Sequence, residues 1–279
     1  MYCTSVCQRF LVCLLALLSL PLPLGAAPAK PAYPKRIVSL SPGTTEMLFA
    51  LGLGKSVVGD TTYCDYPPAA KAIAKVGDVN TSDERVLALH PDLVVADGVA
   101  NARAVARLTR LHLPVLAVTP TSLSGVEDSL RQIGARTGTG AQANVVVGQM
   151  EHKIRLAAQI AAADQRPRPR VFVVVQTAPL WTAGRGTFMD DLVTHAGGIN
   201  AGSAISGYGT FSKEQLVIHP PGVILGDAGT RAAFQADPLL RRLPSVRAGR
   251  IYAIDPDLTS RPGPRLADGL VLVARAIHR

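Results

Sequence analysis

The chain has 279 residues, 48% of them hydrophobic and 5% aromatic, with 29 Lys and Arg against 20 Asp and Glu. That length and apolar content support a packed core and exclude a disordered chain. The formal charge of +9 comes from scattered cations without aromatic interleaving, which argues against nucleic acid and favours anionic partners or ligands.

Arg9 precedes an apolar run over residues 10–20, followed by Pro21, Pro23 and small residues at 25–29. A basic flank, a short apolar stretch and a small-residue end predict a signal peptide over residues 1–29, cut near Ala27 or Ala29. The run falls short of the roughly 20 residues that a bilayer requires. Cys13 lies inside it rather than after it, which argues against lipid attachment. Cys3, Cys7 and Cys13 leave with the leader and Cys64 stays alone, so the fold must stand without an internal disulfide.

Residues 36–40 read as a short buried strand. Ser41 then offers a cap, Pro42 suits the first helical turn, and Met47, Leu48 and Leu51 form one apolar face before Gly52. The pattern recurs with a helix near 82–89, a strand at 93–96, a helix near 101–111 and a strand at 114–118. A helix carrying Val126, Leu130 and Ile133 follows. Residues 141–163 lack proline, are rich in alanine and predict one long helix. The proline-broken basic segment 165–170 ends it. Alternation resumes with a strand at 171–175, a helix carrying Met189, Leu192 and Val193, and a strand at 251–254. The closing helix has Leu266, Leu270, Val273 and Ile277 on one face.

Residues 82–97 align without a gap on residues 212–227, an offset of 130. Each copy reads as a Ser-capped helix, a proline, a buried strand and an aspartate. The fold class expected is therefore α/β: two similar lobes with mainly parallel sheets, joined by one long helix, with a ligand cleft between them. The boundaries are residues 30–140 for the first lobe, 141–165 for the linking helix and 166–279 for the second lobe.

These residues resemble the helical-strut periplasmic binding proteins of ABC importers for vitamin B12, haem and ferric siderophores, and most of all the vitamin B12 members. The resemblance is carried by residues 36–46 (RIVSLSPGTTE), 63–68 (YCDYPP), 84–94 (ERVLALHPDLV), 212–215 (SKEQ), 249–252 (GRIY) and Asp257 with 261–265 (RPGPR). It implies a periplasmic protein that delivers cobalamin to a permease dimer in the inner membrane and acts as a monomer. Haem and ferric siderophores are the alternative cargoes, and the ligand is a corrinoid or another macrocycle.

Glu84 and Glu214 occupy equivalent first-turn positions, where a carboxylate complements the helix dipole. The resemblance implies that they dock onto arginines of the two transporter subunits. It also implies that the cleft residues are Tyr63, Trp181, Tyr208 and the loop Asp257, Leu258, Thr259, Ser260 and Arg261. Trp181, the only tryptophan, is expected in a loop over residues 178–184. Asp97 and Asp227 are read as turn caps. No G-x-S-x-G, H-E-x-x-H, P-loop or dinucleotide fingerprint occurs, and the six histidines lack metal-ligand spacing. The expectation is therefore a binder with no catalytic residue, no metal and no resident cofactor; a metal-dependent enzyme is the alternative from another class.

Overall fold

Short apolar strands feeding capped helices build the first half of the molecule in the computed structural model, which describes residues 33–78 and 80–279. The expected leader lies outside the described residues. Strand β1 (Ile37–Ser39) is fully buried and leads into α1 (Pro42–Ala50). Ser41 accepts the Thr44 N–H at 3.2 Å, and Pro42 takes the first helical position, where its missing N–H costs nothing. Then come β2 (Val57–Asp60), β3 (Ala74–Lys75), α2 (Asp83–Ala88), β4 (Leu93–Asp97), α3 (Ala102–Arg110) and β5 (Val115–Val118). The five strands form one sheet in the order β3-β2-β1-β4-β5, with every neighbouring pair parallel. Chain direction across the sheet reverses between β1 and β4. In open sheets of this kind the carboxyl ends at such a point form the ligand crevice.

Helix α4 (Leu123–Thr137) stops at Gly138, whose φ of 74° lies in the left-handed region that terminates helices. The predicted long helix follows as α5 (Gly140–Ala163), 24 residues, or about 36 Å at 1.5 Å per residue. Its buried side chains, Ala143, Val146, Val147, Met150 and Ala157, recur at helical spacing.

The second half comprises β6 (Arg170–Thr177), β7 (Leu180–Ala183), α6 (Phe188–His195), β8 (Ile199–Asn200), β9 (Tyr208–Thr210) and α7 (Lys213–Ile218). It continues with β10 (Val223–Gly226), α8 (Thr230–Ala236), α9 (Pro244–Arg247), β11 (Ile251–Ala253), α10 (Pro256–Thr259) and α11 (Leu266–Ile277). The strand order is β11-β10-β6-β7-β9, with β8 beside β6. Strands β6, β8, β10 and β11 are parallel, as expected, but β7 and β9 form an antiparallel ribbon.

Two local expectations change. Trp181 stands on β7 opposite Gln176, not in a loop, because the turn after Thr177 is tight enough to fold 180–183 back as a hairpin. The segment from Asp257 begins as a helical turn. Asp255 caps α10 by accepting the Asp257 N–H at 2.9 Å, and Pro256 takes its first position.

The duplication is visible in the coordinates. Helices α2 and α7 start one residue after Ser82 and Ser212, which accept the N–H groups of Arg85 and Gln215 at 3.2 and 3.3 Å. One continuous apolar core runs through β1, α1, α4, α5, β6, α6 and α11. Both halves therefore share buried contacts along α5 and α11, and two smaller clusters fill the outer faces of the sheets. No described helix is long and apolar enough to cross a membrane.

Candidate functional site

The loop after β2 carries Tyr63, Cys64, Asp65 and Tyr66, and buried polar contacts fix its base. Lys75 Nζ donates to the Cys64 and Ala70 carbonyls at 3.2 and 2.9 Å and pairs with Asp60 at 2.6 Å. The Cys64 thiol is buried between the Thr45 and Thr61 hydroxyls at 3.1 and 3.2 Å, and burial pushes its pKa up. Such a thiol anchors the loop and is poorly reactive. With the base held, Tyr63 projects outward at 56% exposure.

From the second half, the segment after α10 reaches across to this loop. Arg261 Nη1 pairs with Asp65 Oδ1, and its Nη2 pairs with Asp257 Oδ1 at 2.9 Å. One turn on, Arg265 chelates Glu46 with Nε and Nη2 at 2.9 and 2.6 Å, its guanidinium 3.6 Å from the centre of the Tyr66 ring. Burial pushes the Glu46 carboxyl up, while Arg265 pulls it down. Gly43 and Gly263 permit the approach: a side chain on Gly43 would run into the Pro262 carbonyl, and one on Gly263 would press on Glu46.

The β7–β9 ribbon adjoins the α10 segment, since Tyr208 lines one hollow with Pro256, Thr259 and Ser260. Trp181 pairs with Thr210 and Ala183 with Tyr208, so Trp181 and Tyr208 share one face of the ribbon as diagonal neighbours. Tyr208 lines a hollow of about 290 Å³ with Val173, Val175, Met189, Pro256, Thr259 and Ser260. Burial raises the Tyr208 phenol. The Thr259 hydroxyl donates to Asp255 O at 3.2 Å and that of Ser260 to Pro256 O at 2.5 Å, so both shape this wall with their hydroxyls already engaged. The Leu258 carbonyl packs against Gly269 of α11.

The predicted residues thus fall into two adjoining groups: Tyr63, Asp257 and Arg261 around the ion pair that joins the halves, and Tyr208, Thr259 and Ser260 around the hollow. Trp181 lies on the same ribbon but does not line the hollow, and Leu258 turns its backbone toward α11. Sequence reasoning missed Glu46, Asp65, Tyr66, Met189 and Arg265. Asp65 and Arg265 stood within motifs already singled out, but pairings over 196 and 219 positions leave no local signal.

Glu84 and Glu214 are both exposed, and each accepts its own cap hydroxyl, from Ser82 at 2.8 Å and Ser212 at 2.6 Å. That bond, first, lowers both carboxyls, so they are charged at neutral pH. Behind each lies an ion pair at the same separation of 24 positions, with the signs exchanged: Asp83 with Arg107 at 2.9 Å, and Lys213 with Asp237 at 2.6 Å. A polar hollow of about 590 Å³ beside α2 and α3 is larger than the one at Tyr208 but borders Glu84, away from the aromatic groups. Asp97 and Asp227 cap the turns that follow their strands. Among the described residues, no group of three or more His, Cys, Asp or Glu is placed to hold a metal ion.

Comparison with known proteins gives the same outline. The chain is 34% identical over 252 residues to an ABC transporter substrate-binding lipoprotein of Bacillus subtilis, YvrC, itself uncharacterized, covering 88% of this chain and 80% of that one. It is 35% identical over 228 residues to the vitamin B12-binding protein of Salmonella choleraesuis, covering 80% and 81%. The periplasmic heme-binding protein RhuT of Roseiflexus sp. RS-1 superposes with a TM-score of 0.78 at 29% identity, covering 88% and 98%. The model of the periplasmic binding protein family matches residues 37–258, a span that runs from β1 into α10, takes in the Tyr63 loop and the β7–β9 ribbon, and ends before Arg261. Two sheets sharing a core along one long helix, with this match across both, make the chain a member of the periplasmic binding protein family.

Proposed function

We propose that the chain is the substrate-binding component of an ABC importer, working in the periplasm after its leader is removed, and that its cargo is cobalamin. The observation that carries this reading is the direct meeting of the Tyr63–Asp65 loop from one half and the Asp257–Arg265 segment from the other. It occurs in a chain 35% identical over 228 residues to a vitamin B12-binding protein. The rings of Tyr63, Trp181 and Tyr208 offer flat apolar area with polar tips, and the carboxylates of Asp65 and Asp257 accept hydrogen bonds from amide side groups. A hollow of about 290 Å³ admits one substituent or ring edge. The macrocycle itself then lies in the open groove, as for a large ligand held largely by preformed walls. No catalytic step or resident cofactor is needed. Glu84 and Glu214 dock, on this reading, onto basic pockets of a two-subunit permease, with the chain acting as a monomer.

Haem is the second reading, favoured by the likeness to the Roseiflexus protein and by the exposed phenol of Tyr63, since a tyrosine oxygen is a known axial ligand of ferric haem. Tyr208, also exposed, offers a second phenol beside the hollow. Titration of the purified apo-chain with cyanocobalamin and with hemin, followed by calorimetry and visible absorption, separates the two. Saturable heat at one cyanocobalamin per chain is expected, with no shifted Soret band on adding hemin. A shifted Soret band without cobalamin heat overturns the cobalamin reading.

A further inference from the structure

What a ligand meets at the rim of the groove is carboxylate rather than guanidinium. The Arg261 side chain is 17% exposed, whereas those of Asp65 and Asp257 are 47% and 44% exposed. Asp65 Oδ1 occupies one end of the guanidinium and Asp257 Oδ1 the other. No other side chain among the described residues donates to the second oxygen of either carboxylate. The next cation, Arg265, is chelated by Glu46 and covered by Tyr66. A substituent entering here therefore finds open acceptor oxygens and occupied donors. Primary amides complement that arrangement, and carboxylates are repelled by it.

We infer that Asp65, seconded by Asp257, is a specificity-determining residue. By holding Arg261 across the groove it keeps that cation from anionic substituents, so the cleft selects a tetrapyrrole with an uncharged amide periphery over one bearing carboxylates. This rests on the reading of the groove as a tetrapyrrole site and deepens it. Asp65 acts in two ways: one oxygen holds Arg261, and the other is left to accept from an amide. Lys71, in the turn that follows this loop, acts on Asp65 by its charge; it is present in every variant and cancels when the affinity ratios of two variants are compared.

The test uses two matched ligand pairs with the purified chain: cyanocobalamin with its monocarboxylate, made by hydrolysing one side-chain amide, and hemin with its dimethyl ester. Dissociation constants are measured for wild type, Asp65→Asn, Asp65→Glu and the double variant Asp65→Asn, Asp257→Asn. Wild type is expected to prefer the uncharged member by about tenfold or more, roughly 1.4 kcal/mol. The double variant is expected to reduce that preference to within about twofold, and Asp65→Glu to retain most of it. If Asp65 merely clamps the two halves, both members of a pair shift together; an unchanged ratio overturns the inference. Should only the hemin pair bind and its ratio respond to Asp65, the cobalamin reading falls while the role of Asp65 stands. Failure of both pairs to bind any of the proteins overturns both.

Discussion

Asp60 sits at the foot of the Tyr63 loop with no exposure, and its Oδ2 has no hydrogen-bond partner among the described residues. Burial pushes its carboxyl up to about 6, against the pull of Lys75. His195 moves the same way for a different reason: its bond to Asp191 raises the imidazole to about 8 despite partial burial. Burial would push Asp191 up, yet His195 and the Leu123 N–H hold it down. Both raised groups bind a proton more tightly in the folded chain than in the unfolded one, so their contributions are full at low pH and decline as pH rises. Asp60 loses its share between about pH 4 and 6, with a ceiling of about 3 kcal/mol for a shift of this size. His195 loses its share between about pH 6.5 and 8. Urea unfolding across pH is therefore expected to lack the lower decline in Asp60→Asn, which keeps an oxygen for Lys75, and the upper one in His195→Gln. Curves that parallel wild type in both variants contradict these assignments. At this scale, what was legible was local. Ser41, Ser82 and Ser212 announce caps because the cap lies three residues from the N–H it satisfies. Arg261 was expected from the sequence as a ligand contact, whereas its joining to Asp65 was not legible, because their proximity exists only after both sheets have formed.

Among the elements, α5 was legible almost to its ends because alanine content, absence of proline and one apolar stripe agree. The β7–β9 ribbon was not: β9 has three residues and its partner four, too short for alternation to register, and the two are separated by residues 184–207. The closing of α5 was likewise invisible. Its C-cap Asp164 meets His278 Nδ1 at 2.7 Å, while His278 Nε2 lies 2.7 Å from the Ala196 carbonyl at the end of α6. Arg166, first, and His278 hold the Asp164 carboxyl well below its usual range. One imidazole thus ties together the ends of α5, α6 and α11. His278→Ala leaves the buried Ala196 carbonyl without that partner and leaves the Asp164 carboxylate to Arg166 alone, and is expected to lower the unfolding free energy by about 1–3 kcal/mol. Cobalamin affinity should stay within error, because the tie lies away from the groove. Denaturant midpoints with unchanged slope, set beside a calorimetric titration, check both halves of the statement. An unchanged midpoint removes the tie from the account of the fold.

For the molecule as a whole, duplication and rigidity act together. The repeat places Glu84 and Glu214 at matching positions of two helices, and the core shared along α5 and α11 holds those helices in one fixed relation. Two carboxylates at a constant spacing suit a partner with two equivalent basic pockets. The ion pairs behind them carry opposite polarity in the two halves, yet each pair is neutral. The pairs therefore add no net charge beside either exposed glutamate, and they serve to brace α2 and α7. Replacing one glutamate with lysine leaves one correct contact and one repulsive contact and is expected to weaken docking on the order of tenfold or more. Glu84→Lys with Glu214→Lys leaves two repulsive contacts and should abolish ATP-driven uptake in vesicles containing the permease. The ligand groove lies apart from both side chains, so cyanocobalamin affinity of the purified double variant is expected to match wild type within about twofold, which a charge effect screened over the intervening distance permits. Retained uptake in the double variant removes docking from these two residues, whereas lost uptake accompanied by lost ligand binding assigns the defect to the groove instead.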